Sequence, residues 1–193
     1  MRGHTAGFSL IELMIGLVVL GIVLMVGLPS LAVWMQNVQI RNAAETVTAG
    51  LNFARAEALR RNANVRFQLV DSLTAACALS SQGTSWVVST TNPAGACNAQ
   101  PADAGPILQK KDGAEGSPNV TLTSFGGTNT LVFNGLGRVL QVTPITRIDF
   151  ANPNGGACLA GGPMRCLRVT VSTGGQIRMC DPAVADNTDP RAC

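Results

Sequence analysis

The sequence predicts an α+β protein in which one long N-terminal helix packs on an antiparallel β-sheet. Three observations predict this class. An apolar run opens the chain, a helical stripe of apolar residues continues it, and short alternating segments between Gly, Asn and Pro clusters fill the rest. The 193 residues suffice for one domain with an appendage. Only 13% of them are charged, against a usual fraction of about 25%.

The first element is an apolar segment that predicts a membrane-spanning helix. From Leu13 to Ile40 there is no Asp, Glu, Lys or Arg, and a bilayer span needs about 20 mostly apolar residues. A cleaved signal peptide is the alternative, with Arg2 as its basic flank and Ser30–Ala32 as its cleavage site. Signal-peptide cores are shorter, about 7–15 residues, and lack an acid, whereas this run opens with Glu12. We therefore favour a retained helix.

The helical pattern continues beyond the apolar segment. Two pairs of opposite charges are spaced four residues apart, Arg41 with Glu45 and Glu57 with Arg61. An apolar stripe at alternating steps of four and three consists of Ile40, Ala44, Val47, Leu51, Ala54 and Ala58. The pattern predicts one helix from Phe8 to about Arg61, and only its second half is amphipathic.

Glu12 is the charged residue within this helix that requires an explanation. An ionised carboxylate inside a membrane helix costs about 2.5–3.5 kcal/mol at the bilayer centre and less near an end. One interpretation places Glu12 at the depth of the lipid headgroups. The other gives it a positively charged partner on a second molecule.

The stretch GFSLIELMIGLVVLGIVL, from Gly7 to Leu24, resembles the N-terminus of type IV prepilins and pseudopilins. The resemblance implies that a prepilin peptidase removes a leader, residues 1–7, by cleaving after Gly7, and then methylates Phe8. Glu12 matches the acid that pairs in this family with the N-terminal amine of a neighbouring subunit, as helices stack into a fibre. The leader would be followed by a hydrophobic transmembrane or fibre-core helix, residues 8–34, and a periplasmic head, residues 35–193.

Downstream segments are similar to the GspH and FimT group of this family. They are LNFARAEALRRNANVRFQL, LVFNGLGRV and LRVTVSTGGQIRMCDP, and the tail CDPAVADNTDPRAC is similar to the tails of FimT and FimU minor pilins. The resemblance implies a minor pilin that takes part in type IV pilus assembly. It would sit as a single-pass protein in the bacterial inner membrane, with other pilins as partners. A type II secretion pseudopilin of the GspH kind is the alternative, and the cysteine-rich tail favours the pilus.

The head contains six cysteines: Cys77, Cys97, Cys158, Cys166, Cys180 and Cys193. None of their spacings is the two-to-four-residue pair of a zinc site. An even count behind an export-like segment favours disulfides over metal ligation or free thiols. Six cysteines allow 15 pairings, and we expect nearest neighbours to pair.

Several short segments of the head predict strands. VRFQLV, at Val65–Val70, alternates as a strand with one buried face. SWVVS, VTLTSF, TLVFNGLGRVLQV, ITRIDF and CLRVTVSTGGQIRMC are the others, whereas QKKDG is interpreted as an exposed turn. Local hairpin spacing predicts an antiparallel sheet whose apolar face is covered by the helical stripe.

Composition argues against an enzyme. The only histidine is His4, in the leader, and there is no tyrosine. The mature chain therefore has no Ser-His or Cys-His nucleophile and no imidazole acid or base. A Ser-Lys dyad could use only Lys110 or Lys111, both in QKKDG. No phosphate loop or dinucleotide fingerprint is present, so we expect no catalysis, cofactor or metal.

The resemblance also raises DNA binding. Some FimT-like minor pilins bind DNA during natural transformation through a Gly-Arg-x-Arg motif, and the matching positions are Gly175–Arg178, where Gln176 replaces the first arginine. Arg165, Arg168 and Arg178 are the candidate phosphate contacts. The alternative is that these arginines point outward from strands and keep an apolar head soluble.

Overall fold

The structure, a computed structural model, describes residues 9–126, 129–140 and 144–193, and the side chains of residues 26–29 are outside the description. The leader, its cleavage position Gly7 and the expected new terminus Phe8 lie outside the described residues. The chain divides into two compact units, the second of which is Gln36–Cys193. One long helix and two antiparallel sheets confirm the predicted fold class.

Helix α1 runs from Leu10 to Arg61 and ends at the residue that the pattern predicted. Asn62 follows with a φ of 49°. The backbone N–H of Ala63 then donates to the carbonyl of Ala58 at 3.2 Å, and that of Asn62 donates to Leu59 at 3.3 Å. These two bonds satisfy carbonyls that a helix end leaves unpaired. Asn62 therefore ends the helix by adopting a conformation that few side chains accept.

The predicted stripe of α1 is buried. Its six residues are each no more than 1% exposed: Ile40, Ala44, Val47, Leu51, Ala54 and Ala58. Gly50 lies beside this stripe and faces the first sheet. A Cβ at Gly50 would lie 2.8 Å from the Trp86 ring and 3.0 Å from the Phe67 ring. Glycine is required there because any side chain would push the helix away from these rings.

Within the described residues, eight strands form two four-stranded sheets. They are β1 Val65–Val70, β2 Ser85–Ser89, β3 Ile107–Lys111, β4 Thr121–Phe125, β5 Thr130–Phe133, β6 Arg147–Ala151, β7 Leu167–Val171 and β8 Ile177–Cys180. The first sheet has the order β3-β2-β1-β5 and the second β4-β6-β7-β8. Every pairing is antiparallel, as expected from the hairpin spacing. The strands are thus shared between two sheets, where the sequence suggested one.

The helix contacts both sheets. Gly50 faces the aromatic rings of the first sheet. Ala43 and Val47 line a cavity of about 10 Å³ together with Leu122 and Phe150 of the second sheet. The amphipathic half of α1 therefore holds the two sheets in one core, which a single-sheet arrangement would not require.

The expectation that β1 has one buried face was wrong. Gln68 and Val70, on the face predicted to be exposed, are 1% and 0% exposed. That face is covered by a second apolar cluster, in which Cys77 and Cys97 pack against Val70. Gln68 accepts a hydrogen bond from the hydroxyl of Ser89 at 3.1 Å, so the buried amide has a partner.

The interpretation of QKKDG as an exposed turn was also wrong, because its two lysines belong to β3. Lys110 Nζ donates to the carbonyl oxygens of Cys97, Asn98 and Ala99 at 3.1, 3.0 and 2.9 Å. The ammonium group therefore holds the loop that carries Cys97. The segment ILQKK has only two apolar residues, too few to show an alternating pattern.

The cysteines pair as nearest neighbours in sequence. The disulfides are Cys77–Cys97, Cys158–Cys166 and Cys180–Cys193. Within the residues that the structure describes, no three His, Cys, Asp or Glu side chains are grouped as metal ligands. Each disulfide closes a loop of the head.

Candidate subunit-assembly and nucleic-acid surfaces

The N-terminal part of α1 presents apolar side chains on every side. From Leu10 to Leu24 the large apolar side chains are between 49% and 78% exposed. Helix α1 is long and apolar enough to cross a membrane, and none of its most apolar window is buried within the protein. A continuous apolar surface of this size is unfavourable in water, so it requires lipid or other helices around it.

Glu12 lies in the first turn of α1. Its backbone N–H donates to Ser9 Oγ at 3.3 Å, and the N–H of Leu13 donates to the Ser9 carbonyl at 3.2 Å. Ser9 therefore caps the helix, and Ser9 with Glu12 has the spacing of a capping box. We missed Ser9 in the sequence, although the pattern Ser-x-x-Glu is a known start signal. The positive end of the helix dipole stabilises an acid at this position.

Arg168 lies on β7 and is neutralised by Asp149 on β6. Its Nε and Nη2 atoms donate to the two carboxylate oxygens at 2.6 and 3.0 Å. The hydrogen bond that Arg168 donates to Asp149 raises the pKa of the Arg168 guanidinium above its ordinary value. A two-point pair of this kind holds both side chains in place. Arg168 therefore offers little free positive charge to a phosphate.

Arg178 holds the C-terminal tail against the second sheet. Its Nη2 atom donates to the carbonyl oxygens of Pro190 and Ala192 at 3.0 and 2.8 Å. Cys180 closes the same tail through its disulfide with Cys193. The guanidinium keeps its charge, but two of its donors are engaged within the protein. The structure thus gives Arg178 a role that the sequence did not suggest.

The three candidate arginines are not equally placed. Arg168 pairs in register with Cys180, two residues from Arg178, so Arg168 and Arg178 lie on the same face of the sheet. Arg165 precedes β7, is exposed, and its backbone N–H donates to Asn37 Oδ1 at 2.8 Å. The structure therefore brings together two of the three candidates and ties the third to the start of the head.

Gly175, the first position of the motif, has a packing role. Its φ is 80°, in the left-handed region that glycine adopts without strain. A Cβ at Gly175 would overlap the carbonyl oxygen of Gly137, which also accepts a hydrogen bond from Arg55 at 3.2 Å. A glycine at position 175 therefore allows its turn to contact the turn that contains Gly137.

The tail adds negative charge beside this face. The side-chain hydrogen bond from Arg191 lowers the pKa of Asp189 to about 2. The hydroxyl of Thr188 lowers the pKa of Asp186. Asp189 is neutralised by its two-point pair with Arg191, at 3.0 and 2.6 Å, so of these two carboxylates it is Asp186 that opposes the approach of a polyanion.

Comparisons with known proteins give two family matches. Residues 43–175 match the family described as type II transport protein GspH, and residues 2–28 match the prokaryotic N-terminal methylation motif. No curated protein sequence matches the chain. Two crystal structures of the type IV minor pilin FimU from Pseudomonas aeruginosa, strain PAO1, are similar to it. One has 20% identity over 76% of this chain and 97% of FimU, with a TM-score of 0.49, and the other has 21% identity over 77% and 92%, with a TM-score of 0.48.

Proposed function

The chain belongs to the GspH family, and from this premise we propose that it is a minor pilin that helps to initiate or populate a type IV pilus. It is made as a single-pass precursor in the inner membrane, with its head in the periplasm. Prepilin peptidase cleaves after Gly7 and methylates Phe8. The three disulfides suit this oxidising compartment.

One observation carries the proposal: α1 changes its surroundings along its length. Between Leu10 and Leu24 its apolar side chains are exposed, whereas from Ile40 to Ala58 its stripe is buried by the head. The first part therefore needs an external apolar partner, while the second part already has an internal one. Lipid fills that need in the precursor and the helices of neighbouring pilins fill it in the fibre.

Glu12 supplies the specific contact in this proposal. In the fibre core its carboxylate meets the amine of Phe8 of an adjacent subunit. The pair compensates two charges that would each be costly in apolar surroundings. The acid is tolerated in the apolar segment because assembly provides the opposite charge.

The second candidate is a pseudopilin of type II secretion. It is favoured by the description of the matching family as type II transport protein. Both candidates use the same helix and the same processing, so the residues of the head do not separate them. The resemblance of the tail to FimT and FimU minor pilins is the reason why the pilus comes first.

The test is to recover the chain from pili sheared from cells and to determine its N-terminus by mass spectrometry. We expect a mature chain that starts at methylated Phe8 and is present in the pilus fraction. A Gly7→Ala variant is the control for processing, since it should retain residues 1–7 and stay in the membrane. A chain that is absent from pili and co-purifies with secretion components would favour the pseudopilin.

DNA binding is expected to be weak. We predict no mobility shift of a short duplex DNA by the full chain in detergent at physiological salt, because Arg168 is paired and Arg178 is engaged by the tail. Position 176 carries an exposed glutamine in place of the arginine of the motif.

Two variants make this prediction decisive. Gln176→Arg should produce a salt-sensitive shift if the missing arginine is what limits binding. A salt-sensitive shift by the wild type that disappears in Arg178→Ala and persists in the matched variant Arg138→Ala would contradict the prediction and favour DNA uptake.

A further inference from the structure

A loop between β6 and β7 contains no charged residue. From Ala151 to Met164 the sequence ANPNGGACLAGGPM has no Asp, Glu, Lys or Arg, and exposed Arg165 follows it. We name residues 152–164 the basal loop. Asn, Gly and Pro are ordinary loop residues, so the features that distinguish this loop are its lack of acidic residues and the apolar side chain at its tip.

The basal loop is fastened to the beginning of the head's helix. Asn37 Nδ2 donates to the carbonyl oxygen of Pro163 at 2.9 Å, and Asn37 Oδ1 accepts from the backbone N–H of Arg165 at 2.8 Å. At the other end of the loop, Gly155 lies so close to Met164 and Gln36 that a Cβ would overlap both side chains. The loop therefore has a fixed position beside Gln36 and Asn37.

The tip of the basal loop exposes a large apolar side chain. Leu159 is 64% exposed, whereas Met164 at the base is 1% exposed. The disulfide Cys158–Cys166 closes the tip, and the N–H of Gly162 donates to the Leu159 carbonyl at 3.0 Å. Leu159 is thus presented by a constrained turn, which lowers the entropy lost when it contacts another surface.

Asn37, which holds the base of this loop, lies close along the chain to the end of the apolar segment. Asn37 follows Met35, the last residue of the N-terminal unit, by two positions, or about 3 Å along a helix. Trp34 lies one residue earlier and is 64% exposed, and tryptophan favours the membrane–water interface. Asn37 therefore lies within about one helical turn of Trp34 along α1.

We propose that the basal loop docks on the headgroup layer of an anionic phospholipid bilayer while the precursor is anchored. Leu159 enters the interface between headgroups and acyl chains, and Arg165 contacts lipid phosphate. The inference rests on the membrane anchoring in the proposed function. The inference adds to that function a second contact with lipid, made by the head, which follows the membrane segment along the chain. This contact must break before the subunit enters a fibre.

The test places a tryptophan at the tip in the full chain. The Leu159→Trp variant is reconstituted in vesicles of phosphatidylethanolamine and phosphatidylglycerol, with and without lipids brominated near the headgroup end of the acyl chains. Its emission is compared with that of the wild type, which already contains Trp34 and Trp86. We expect the added emission to be blue-shifted and to lose at least about half its intensity to the bromines, as for a side chain inside the interface.

Leu136→Trp is the matched control. Leu136 is 72% exposed and adjoins Gly137, which contacts Leu59 near the end of α1. Leu59 is 22 residues beyond Asn37, or about 33 Å along the helix. If the lipid contact is confined to the basal loop, the control emission should be less blue-shifted and less quenched than the emission that Leu159→Trp adds.

The outcomes separate the two proposals. Quenching of Trp34 in the wild type, without quenching of the emission that Leu159→Trp adds, would overturn the lipid contact and leave membrane anchoring intact. No quenching of the wild type would overturn both. A blue shift of the Leu159→Trp emission that arises only in assembled fibres would assign the basal loop to a neighbouring subunit and would also overturn the lipid contact.

Discussion

Replacing Glu12 with alanine is expected to leave membrane insertion and leader cleavage intact and to lower incorporation into fibres at least about tenfold. The substitution removes the only acid from the apolar segment, so it favours insertion. In the proposed pairing, it also leaves the amine of Phe8 on the adjacent subunit without a counter-charge in an apolar core. A loss of about 1.4 kcal/mol already lowers an association constant tenfold, and an uncompensated charge in such surroundings costs more than that.

The measurement is the ratio of the chain in sheared pili to the processed chain in membranes, for the wild type and each variant. Glu12→Gln keeps the size of the side chain and should fail as Glu12→Ala does, because the charge is what pairs. Ser9→Ala is the matched control. It removes the cap that Glu12 N–H binds at 3.3 Å, and a lost cap costs about 1 kcal/mol of helix stability.

The control separates two roles of the acid. If Glu12 acts by pairing with another subunit, Ser9→Ala should incorporate much better than Glu12→Ala. Equal defects would mean that Glu12 acts through the start of its own helix. Normal incorporation of Glu12→Ala would falsify the pairing proposal.

The helix could be predicted closely from the sequence because its signals are local. The stripe repeats at a helical period, and all six of its residues, including Ile40 and Ala58, are buried in the structure. The end at Arg61 follows from an asparagine that accepts a positive φ. Strands β1 and β2 were predicted with their observed ends, since each is dense in β-branched and aromatic residues.

The features that could not be predicted depend on distant parts of the chain. β3 is recognisable only by its pairing with β2, in which Lys110 lies opposite Val87. The second face of β1 is buried by loops that the sequence places after the strand. The division into two sheets depends on which strands pair with each other, and the helix contacts both sheets. None of these three features produces a periodic pattern in the sequence of the segment that takes part in it.

The same distinction applies to the candidate surfaces. The apolar segment and Glu12 are visible in the sequence because they violate the ordinary pattern of a soluble domain. The roles of Arg168 and Arg178 depend on Asp149 and on the carbonyl of Ala192, which are 19 and 14 residues away. The candidates named from the sequence therefore overstated the free positive charge of the face, since the sequence does not show what each guanidinium binds.

Removing the Cys77–Cys97 disulfide is expected to have the largest effect on the stability of the head. Its cysteines are 20 residues apart, against 8 for Cys158–Cys166. The loop-entropy model assigns about 3.3 kcal/mol to the first disulfide and about 2.5 kcal/mol to the second. Cys77 and Cys97 are also 4% and 0% exposed within the second apolar cluster, so replacing both with alanine adds a cavity penalty.

The burial makes the two disulfides distinguishable in one experiment. The double variant Cys77→Ala and Cys97→Ala should lose more than about 3 kcal/mol of unfolding free energy. The matched pair Cys158→Ala and Cys166→Ala should lose less, because Cys158 is exposed. Denaturant unfolding of the full chain in detergent, followed by Trp86 fluorescence, measures both, since Trp86 packs beside Phe67 under the helix. A difference between the two losses of no more than about 0.8 kcal/mol would mean that the second cluster contributes nothing beyond loop closure, and the loops over β1 would then be held by Lys110 and their backbone bonds alone.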